Sequence, residues 1–95
     1  MGQVELRLSD CVRIARDVMA RQVGEDVVML DLARGDYFGL DSVGARVWQL
    51  MGEGKTLAEV CNVMMQEYEV SRETIEHDVT MLAEELAARG LIIPG

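Results

Sequence analysis

The first half of the chain alternates short apolar segments with turn-forming residues. The apolar segments are Val18–Val23, Val27–Leu32 and Asp36–Leu40, and their β-branched and aromatic residues favour strands. Gly24-Glu25 suits a two-residue hairpin turn, because glycine accepts the positive φ that such turns require. Ala33-Arg34-Gly35 suits a three-residue hairpin loop with glycine in the left-handed conformation. The pattern therefore predicts a three-stranded antiparallel β-meander.

The second half of the chain repeats apolar residues at the spacing of a helix face, and each repeat follows a capping signal. Asp41 is the predicted N-cap of a helix from Ser42 to Met51. Thr56–Glu59 forms a capping box for a second helix, and Ser71 caps a third helix that ends near Arg89. The predicted inward-facing residues are Val43, Val47, Leu50 and Met51 in the first helix, Leu57, Val60, Cys61, Met64, Met65 and Tyr68 in the second, and Ile75, Val79, Leu82 and Leu86 in the third. The predicted fold class is α+β, with the meander followed by three helices in a winged helix-turn-helix-like arrangement.

The N-terminal residues show only partial alternation of apolar and polar positions. We interpret residues 1–17 as an extended arm, either flexible or paired with another chain, and residues 18–95 as the domain. Near the other end of the chain, Leu91-Ile92-Ile93 is apolar but short, and Pro94 ends it. No repeat or internal linker divides the sequence, so we expect one domain.

The third predicted strand has two different faces. Side chains alternate along a strand, so Phe38 and Leu40 share one face and Tyr37 and Gly39 share the other. Glycine weakens the interior of a central strand. Gly39 therefore indicates either an edge strand that another backbone can approach closely or a β-bulge.

Composition predicts an aliphatic core and an acidic surface. Hydrophobic residues make up 49% of the 95 residues, which excludes a disordered chain, and aromatic residues make up only 4%. The formal net charge is −8, although residues 1–24 contain four basic and three acidic groups. Almost all the excess acid therefore lies in the rest of the chain. Such a surface suits a protein or peptide partner of neutral or basic character.

Candidate chemistry is sparse. Cys11 and Cys61 are far apart, and the single histidine, His77, completes no familiar zinc-site spacing with them. We see no catalytic triad, phosphate-binding loop or carboxylate-rich metal motif, and we expect no enzyme activity, no cofactor and no metal. No apolar run approaches the ~20 residues that span a bilayer, and the N-terminus lacks the apolar core of a signal peptide. We expect a cytoplasmic protein with reduced thiols and no membrane partner.

Winged helix-turn-helix folds often bind DNA, so the last helix is the candidate recognition helix. A DNA-binding surface needs basic side chains that replace phosphate counterions. The predicted third helix contains five acidic and two basic residues, namely Glu73, Glu76, Asp78, Glu84 and Glu85 against Arg72 and Arg89. The sequence therefore argues against a nucleic-acid partner.

The motif Asp41-Ser42-Val43 at a helix start resembles the phosphopantetheine attachment site of acyl carrier proteins, with Ser42 as the modified serine. Carrier proteins are all-helical, whereas Ser42 follows predicted strands. Capping alone explains an aspartate and a serine at a helix start. A carrier protein is an alternative hypothesis.

Several features of residues 18–93 occur together in a known order and spacing. They are the VVMLDL strand, the Gly35–Leu40 hairpin arm (GDYFGL), the Gly44–Trp48 step, the Gly54-Lys55-Thr56 turn and the Val79, Leu82, Leu86 helix that ends in Gly90-Leu91-Ile92. This combination resembles the PqqD-like family, the recognition elements of ribosomally made and modified peptides. Asp41 departs from the family pattern, which often has asparagine there, but either residue caps a helix.

The resemblance implies a non-catalytic peptide chaperone. It would bind the leader segment of a precursor peptide as an antiparallel fourth strand along Asp36–Leu40 and present it to a modifying enzyme, such as a peptidase, a radical enzyme or a cyclase. Leader side chains would enter a groove between that strand and the third helix. Any one helix residue could instead belong to the core. The predicted peptide-binding residues are Asp36, Tyr37, Phe38, Gly39, Leu40, Ile75, Asp78, Val79, Met81 and Leu82.

Overall fold

The computed structural model describes residues 6–95 and shows the predicted α+β fold. A three-stranded meander precedes three helices. Two further short strands, one before the meander and one after the helices, pair with each other. The elements are β1 (Val12–Ile14), β2 (Val18–Val23), β3 (Asp26–Asp31), β4 (Asp36–Leu40), α1 (Ser42–Gly52), α2 (Leu57–Glu67), α3 (Arg72–Ala88) and β5 (Ile92–Pro94). The prediction of a meander followed by three helices is confirmed.

The main sheet has the strand order β2-β3-β4, and both of its connections are antiparallel hairpins. Gly24 and Gly35 adopt positive φ in the two turns, at 66° and 76°. The third predicted strand lies where expected, but β3 begins and ends one residue before the predicted Val27–Leu32. The side chain of Asp31 explains the earlier end of the strand, because its Oδ1 accepts hydrogen bonds from the N–H groups of Ala33 and Arg34. Asp31 therefore begins the turn.

The N-terminal segment differs from the predicted arm. Residues 1–5 lie outside the described part of the chain, but β1 pairs with β5 and thus with the same chain rather than with another. Leu6 and Val12 are buried in the core, and the N–H of Gly95 donates to the carbonyl of Cys11 at 2.9 Å. Residues this distant in sequence pair without leaving a local pattern. The alternation of apolar and polar positions therefore did not predict the pairing of β1 with β5.

The three helices begin at the predicted caps. Asp41, Thr56 and Ser71 each accept a hydrogen bond from a backbone N–H in the first turn of α1, α2 and α3, respectively. The predicted capping box of α2 is complete, because Thr56 N–H donates to Glu59 Oε1 at 2.8 Å and Glu59 N–H donates to Thr56 Oγ1 at 3.1 Å. These bonds satisfy N–H groups that have no partner inside the helix.

The core lies between the inner face of the main sheet and the helices. Four residues of the predicted helix stripes are not fully buried. Val43 is exposed, and Met65, Tyr68 and Leu82 are partly buried against the core. Ala45 and Ala83 are buried in α1 and α3, where the prediction had passed over the small alanine side chains. Of these four, Val43 and Leu82 lie beside the end of β4 and are available to a surface site.

None of the helices in residues 6–95 has the length and apolar character needed to cross a membrane.

Candidate functional site

β4 forms one edge of the main sheet. Its inner neighbour is β3, and no other strand in residues 6–95 pairs with it. Edge strands carry unpaired backbone N–H and C=O groups that can pair with another extended chain. The hydrogen-bond pattern of the sheet shows which residues carry those groups.

The pairing of β2 with β3 sets this pattern. Leu32 N–H donates to the carbonyl of Asp17 at 2.8 Å, so these two opposite residues are a hydrogen-bonded pair. In the same register, Met19 lies opposite Leu30, two residues further along the ladder. In an antiparallel ladder, hydrogen-bonded and non-hydrogen-bonded pairs alternate. Leu30 therefore directs its backbone groups toward β2, whereas its neighbour Met29 directs them toward β4.

The same alternation assigns the two edges of β4. Phe38 lies opposite Met29, so its N–H and C=O face β3. The backbone groups of Tyr37 and Gly39 consequently face the open edge of the sheet. The register of β4 is continuous through Gly39, so this glycine forms no bulge in the ladder with β3. Of the two sequence interpretations of Gly39, the structure supports the edge strand.

An apolar groove with a volume of about 280 Å³ lies beside this edge. Its walls come from the end of β4, the first turns of α1 and one face of α3. The lining residues are Phe38, Gly39, Leu40, Asp41, Val43, Gly44, Val47, Ile75, Asp78, Val79 and Leu82. The groove therefore combines an unpaired backbone edge with a mainly apolar floor.

Seven of the ten predicted site residues line this groove, and three do not. The side chain of Tyr37 lies on the outer face of the sheet and is 74% exposed, although its backbone faces the open edge. Met81 is 56% exposed on α3 and lies outside the groove lining. Asp36 lines a smaller cavity at the start of β4. Seven of the predicted residues therefore lie together around one groove, and a peptide-binding role for all ten stays a prediction.

Four groove residues were missed, namely Asp41, Val43, Gly44 and Val47. They all belong to the junction at which β4 passes directly into α1. The short connection between the predicted strand and the predicted helix could have identified them. Only one residue separates the two elements, so the first turn of the helix must lie beside the end of the strand. Val43 had been predicted to lie in the core, and its outward position adds an apolar side chain to the groove wall.

A second cavity adjoins the other end of β4. It has a volume of about 150 Å³ and shares Phe38 with the groove. The guanidinium carbon of Arg89 lies 4.7 Å from the centre of the Phe38 ring, which is a cation–π contact. Arg34 also lines this cavity. The two ends of β4 therefore differ in charge, because arginines line only the cavity at its start.

The remaining reactive side chains of the described region do not form a cluster. His77 is exposed on α3, and Cys61 is fully buried in the core, where burial raises the pKa of its thiol. Among residues 6–95, no three His, Cys, Asp or Glu side chains are placed to hold a metal ion. The arrangement beside β4 can bind an extended chain through backbone hydrogen bonds and apolar contacts.

The fold and the site define a small α+β domain with an unpaired sheet edge beside an apolar groove. The chain belongs to the family described as coenzyme PQQ synthesis protein D (PqqD), whose family model matches residues 26–92. The matched segment contains β4, α1 and α3, which together form the groove.

Two solved structures are similar to this chain over most of its length. One shows TbiB1 in complex with the TbiA(β) leader peptide, at 39% sequence identity and a TM-score of 0.80, covering 84% of this chain and 93% of TbiB1. The other shows a lasso peptide synthetase B1 complexed with the leader peptide, at 29% identity and a TM-score of 0.82, covering 87% of this chain and 98% of that protein. No curated protein gives a significant match to this chain.

Proposed function

We propose that this protein binds the leader segment of a ribosomally synthesised precursor peptide by adding it to the main sheet as a strand along β4. The observation that carries the proposal is the open edge of β4 beside the apolar groove. Backbone groups of Tyr37 and Gly39 would supply sequence-independent hydrogen bonds, and the groove would select side chains. Both similar solved structures are complexes with leader peptides.

The bound segment runs antiparallel to β4 in this proposal. Every second side chain of an added strand faces the helices, next to Phe38 and Leu40, and enters the groove between β4 and α3. Leu82 and Val43, which are not buried in the core, would contact these side chains. Coverage of the edge by the leader also removes a site for self-association.

The second partner in this proposal is a modifying enzyme, such as a peptidase, a radical enzyme or a cyclase, to which the chain presents the bound precursor. The chain itself does no chemistry in this scheme, and its place of action is the cytoplasm, where ribosomes make the precursor. The described site supports a binding role because it offers apolar contacts and backbone hydrogen-bonding groups.

The two alternative functions lack such support. Carrier proteins are all-helical, whereas Ser42 here follows directly on a β-sheet, and Asp41 acts as the N-cap of α1. For DNA binding, α3 contains five acidic residues and one basic residue, Arg72. A phosphopantetheinyl adduct on Ser42, detected by intact mass after treatment with a phosphopantetheinyl transferase, would revive the first alternative.

Nuclear magnetic resonance can test the proposal directly. We expect titration of the 15N-labelled protein with the synthetic TbiA(β) leader peptide to shift amide signals of β4 and α3. The peptide comes from the complex of the 39% identical protein. Signals of β1, β5 and α2 should move little, because these elements do not line the groove. Shifts that cluster on α2, or no shifts at a large excess of peptide, would contradict strand addition at β4.

A further inference from the structure

The groove beside β4 has an unbalanced charge. Its lining residues include two carboxylates, Asp41 and Asp78, and no basic side chain. Asp41 is engaged within the fold, because its Oδ1 accepts a hydrogen bond from Gly44 N–H at 2.8 Å. The side-chain carboxylate of Asp78 forms no hydrogen bond or ion pair with another residue of the described chain. One groove carboxylate is therefore available to a ligand.

The four basic side chains of residues 41–95 are engaged elsewhere. Their ion-pair partners lie outside the groove lining: Arg46 pairs with Glu67, Lys55 with Glu53, Arg72 with Glu76 and Arg89 with Glu85. Each of these pairs joins N and O atoms between 2.6 and 3.6 Å apart. Asp78 is thus bordered by apolar groove residues and by no described base that neutralises it.

The position of Asp78 along the groove is also defined. Asp78 and Arg89 are separated by about 16 Å along the helix axis, as calculated from the rise per residue of an α-helix. Asp36 and Asp41 are separated by about 17 Å along the strand, as calculated from the rise per residue of a β-strand. The two pairs of residues therefore span similar lengths. Arg89 lies over Phe38 and lines the cavity that contains Asp36, whereas Asp78 and Asp41 line the same groove. Asp78 therefore faces the C-terminal end of β4.

We propose that the peptide segment held in this groove carries a lysine or arginine whose cation pairs with Asp78. A strand antiparallel to β4 begins near Leu40 and ends near Asp36, so this basic residue lies in the N-terminal part of the bound segment. The inference rests on the proposed function and adds a substrate class to it, namely leaders with a basic residue at one fixed position among apolar ones. Its energy comes from a charge-assisted hydrogen bond at the wall of an apolar groove.

A displayed library of random 12-residue peptides provides the test, because it needs no knowledge of the natural precursor. The library is selected separately on the wild-type protein, on Asp78→Lys and on the control Glu84→Lys. Glu84 lies on α3 outside the groove lining, so both variants change the net charge equally. Circular dichroism and thermal melts first establish that the variants are folded.

We expect wild-type and Glu84→Lys to enrich peptides with lysine or arginine at one position beside apolar residues. Asp78→Lys should enrich aspartate or glutamate at that position. A synthetic peptide from the wild-type selection should bind Asp78→Asn about two- to five-fold more weakly than wild-type, because Asp78 is exposed and exposed ion pairs contribute little. Exchange of its basic residue for glutamate should restore binding to Asp78→Lys.

Three outcomes would overturn the inference. Enriched peptides without a preferred basic position would reject it while leaving the leader-binding function intact. The same basic preference in Asp78→Lys would show that net charge, not Asp78, attracts the peptide. Failure of the wild-type protein to enrich any peptide would reject the leader-binding function itself and the inference with it.

Discussion

Gly39 presents both of its backbone hydrogen-bonding groups to the open edge of the sheet. A Cβ atom added there would meet no heavy atom within 4 Å, so the position tolerates a side chain. We expect Gly39→Pro to abolish leader binding, because proline removes the outward N–H while the ladder with β3 remains. Isothermal titration calorimetry with a leader peptide that binds the wild-type protein measures the loss of affinity. Urea denaturation measures the free energy of unfolding and so shows whether the fold is retained.

The matched control for this variant is Gly39→Ala, which adds a Cβ but keeps the N–H donor. We expect its affinity for the leader to stay within about three-fold of wild-type, since an edge hydrogen bond is retained. Equal affinity in Gly39→Pro and Gly39→Ala would show that the leader does not pair with β4 at this residue.

Leu82 and Leu86 lie one turn apart on α3 but have different roles. Leu82 lines the groove, whereas Leu86 is fully buried in the core. We expect Leu86→Ala to lower the free energy of unfolding by about 2–5 kcal/mol. Leu82→Ala should cost less stability and should weaken leader binding, since the groove loses apolar surface. Urea denaturation and calorimetry separate the two effects, and similar losses of stability in both variants would contradict the assignment.

The helices α1 and α2 are joined on the surface by an ion pair with two hydrogen bonds. Arg46 Nε and Nη2 donate to the two carboxylate oxygens of Glu67 at 2.8 and 2.6 Å. The hydrogen bonds from Arg46 lower the pKa of Glu67 below its ordinary value of 4.5. The stabilisation is therefore present above the ordinary pKa and is lost as the pH falls through the lowered pKa.

This coupling predicts an acid-dependent difference between wild-type and Glu67→Gln. Wild-type should melt at a higher temperature than Glu67→Gln at pH 7, and the difference should shrink as the pH falls below 4.5. Thermal melts at several pH values measure it. A difference that is constant from pH 7 to pH 3 would show that the Glu67 charge does not stabilise the fold.

The elements themselves follow from local sequence signals, and the site follows only in part. Gly24 and Gly35 fixed the hairpins, and the caps at Asp41 and Thr56 fixed helix starts, because these signals act within a few residues. The faces of β4 and α3 also followed from periodicity. Val43 was assigned to the core instead of the groove, because periodicity defines a helix face but not which neighbouring element covers it.

The pairing of β1 with β5 joins two distant parts of the chain and could not be predicted from local sequence signals. It depends on Ile92, which is 1% exposed and packs into the core, whereas its neighbour Ile93 is 40% exposed. We expect Ile92→Ala to lower the free energy of unfolding by about 2–5 kcal/mol. The control Ile93→Ala should change it by about 0.5 kcal/mol or less. Urea denaturation of both variants tests this, and equal effects would show that β5 does not anchor the chain in the core.

The same strand pair has a consequence for joining this domain to other proteins. Val12 lies opposite Pro94, and Gly95 N–H donates to the carbonyl of Cys11, so a polypeptide fused after Gly95 would leave the domain from a point fixed beside β1. A tether raises the effective concentration of an attached protein according to its length and point of attachment. An enzyme linked after β5 would therefore start from a fixed place relative to the groove, and the length of the linker would set its reach.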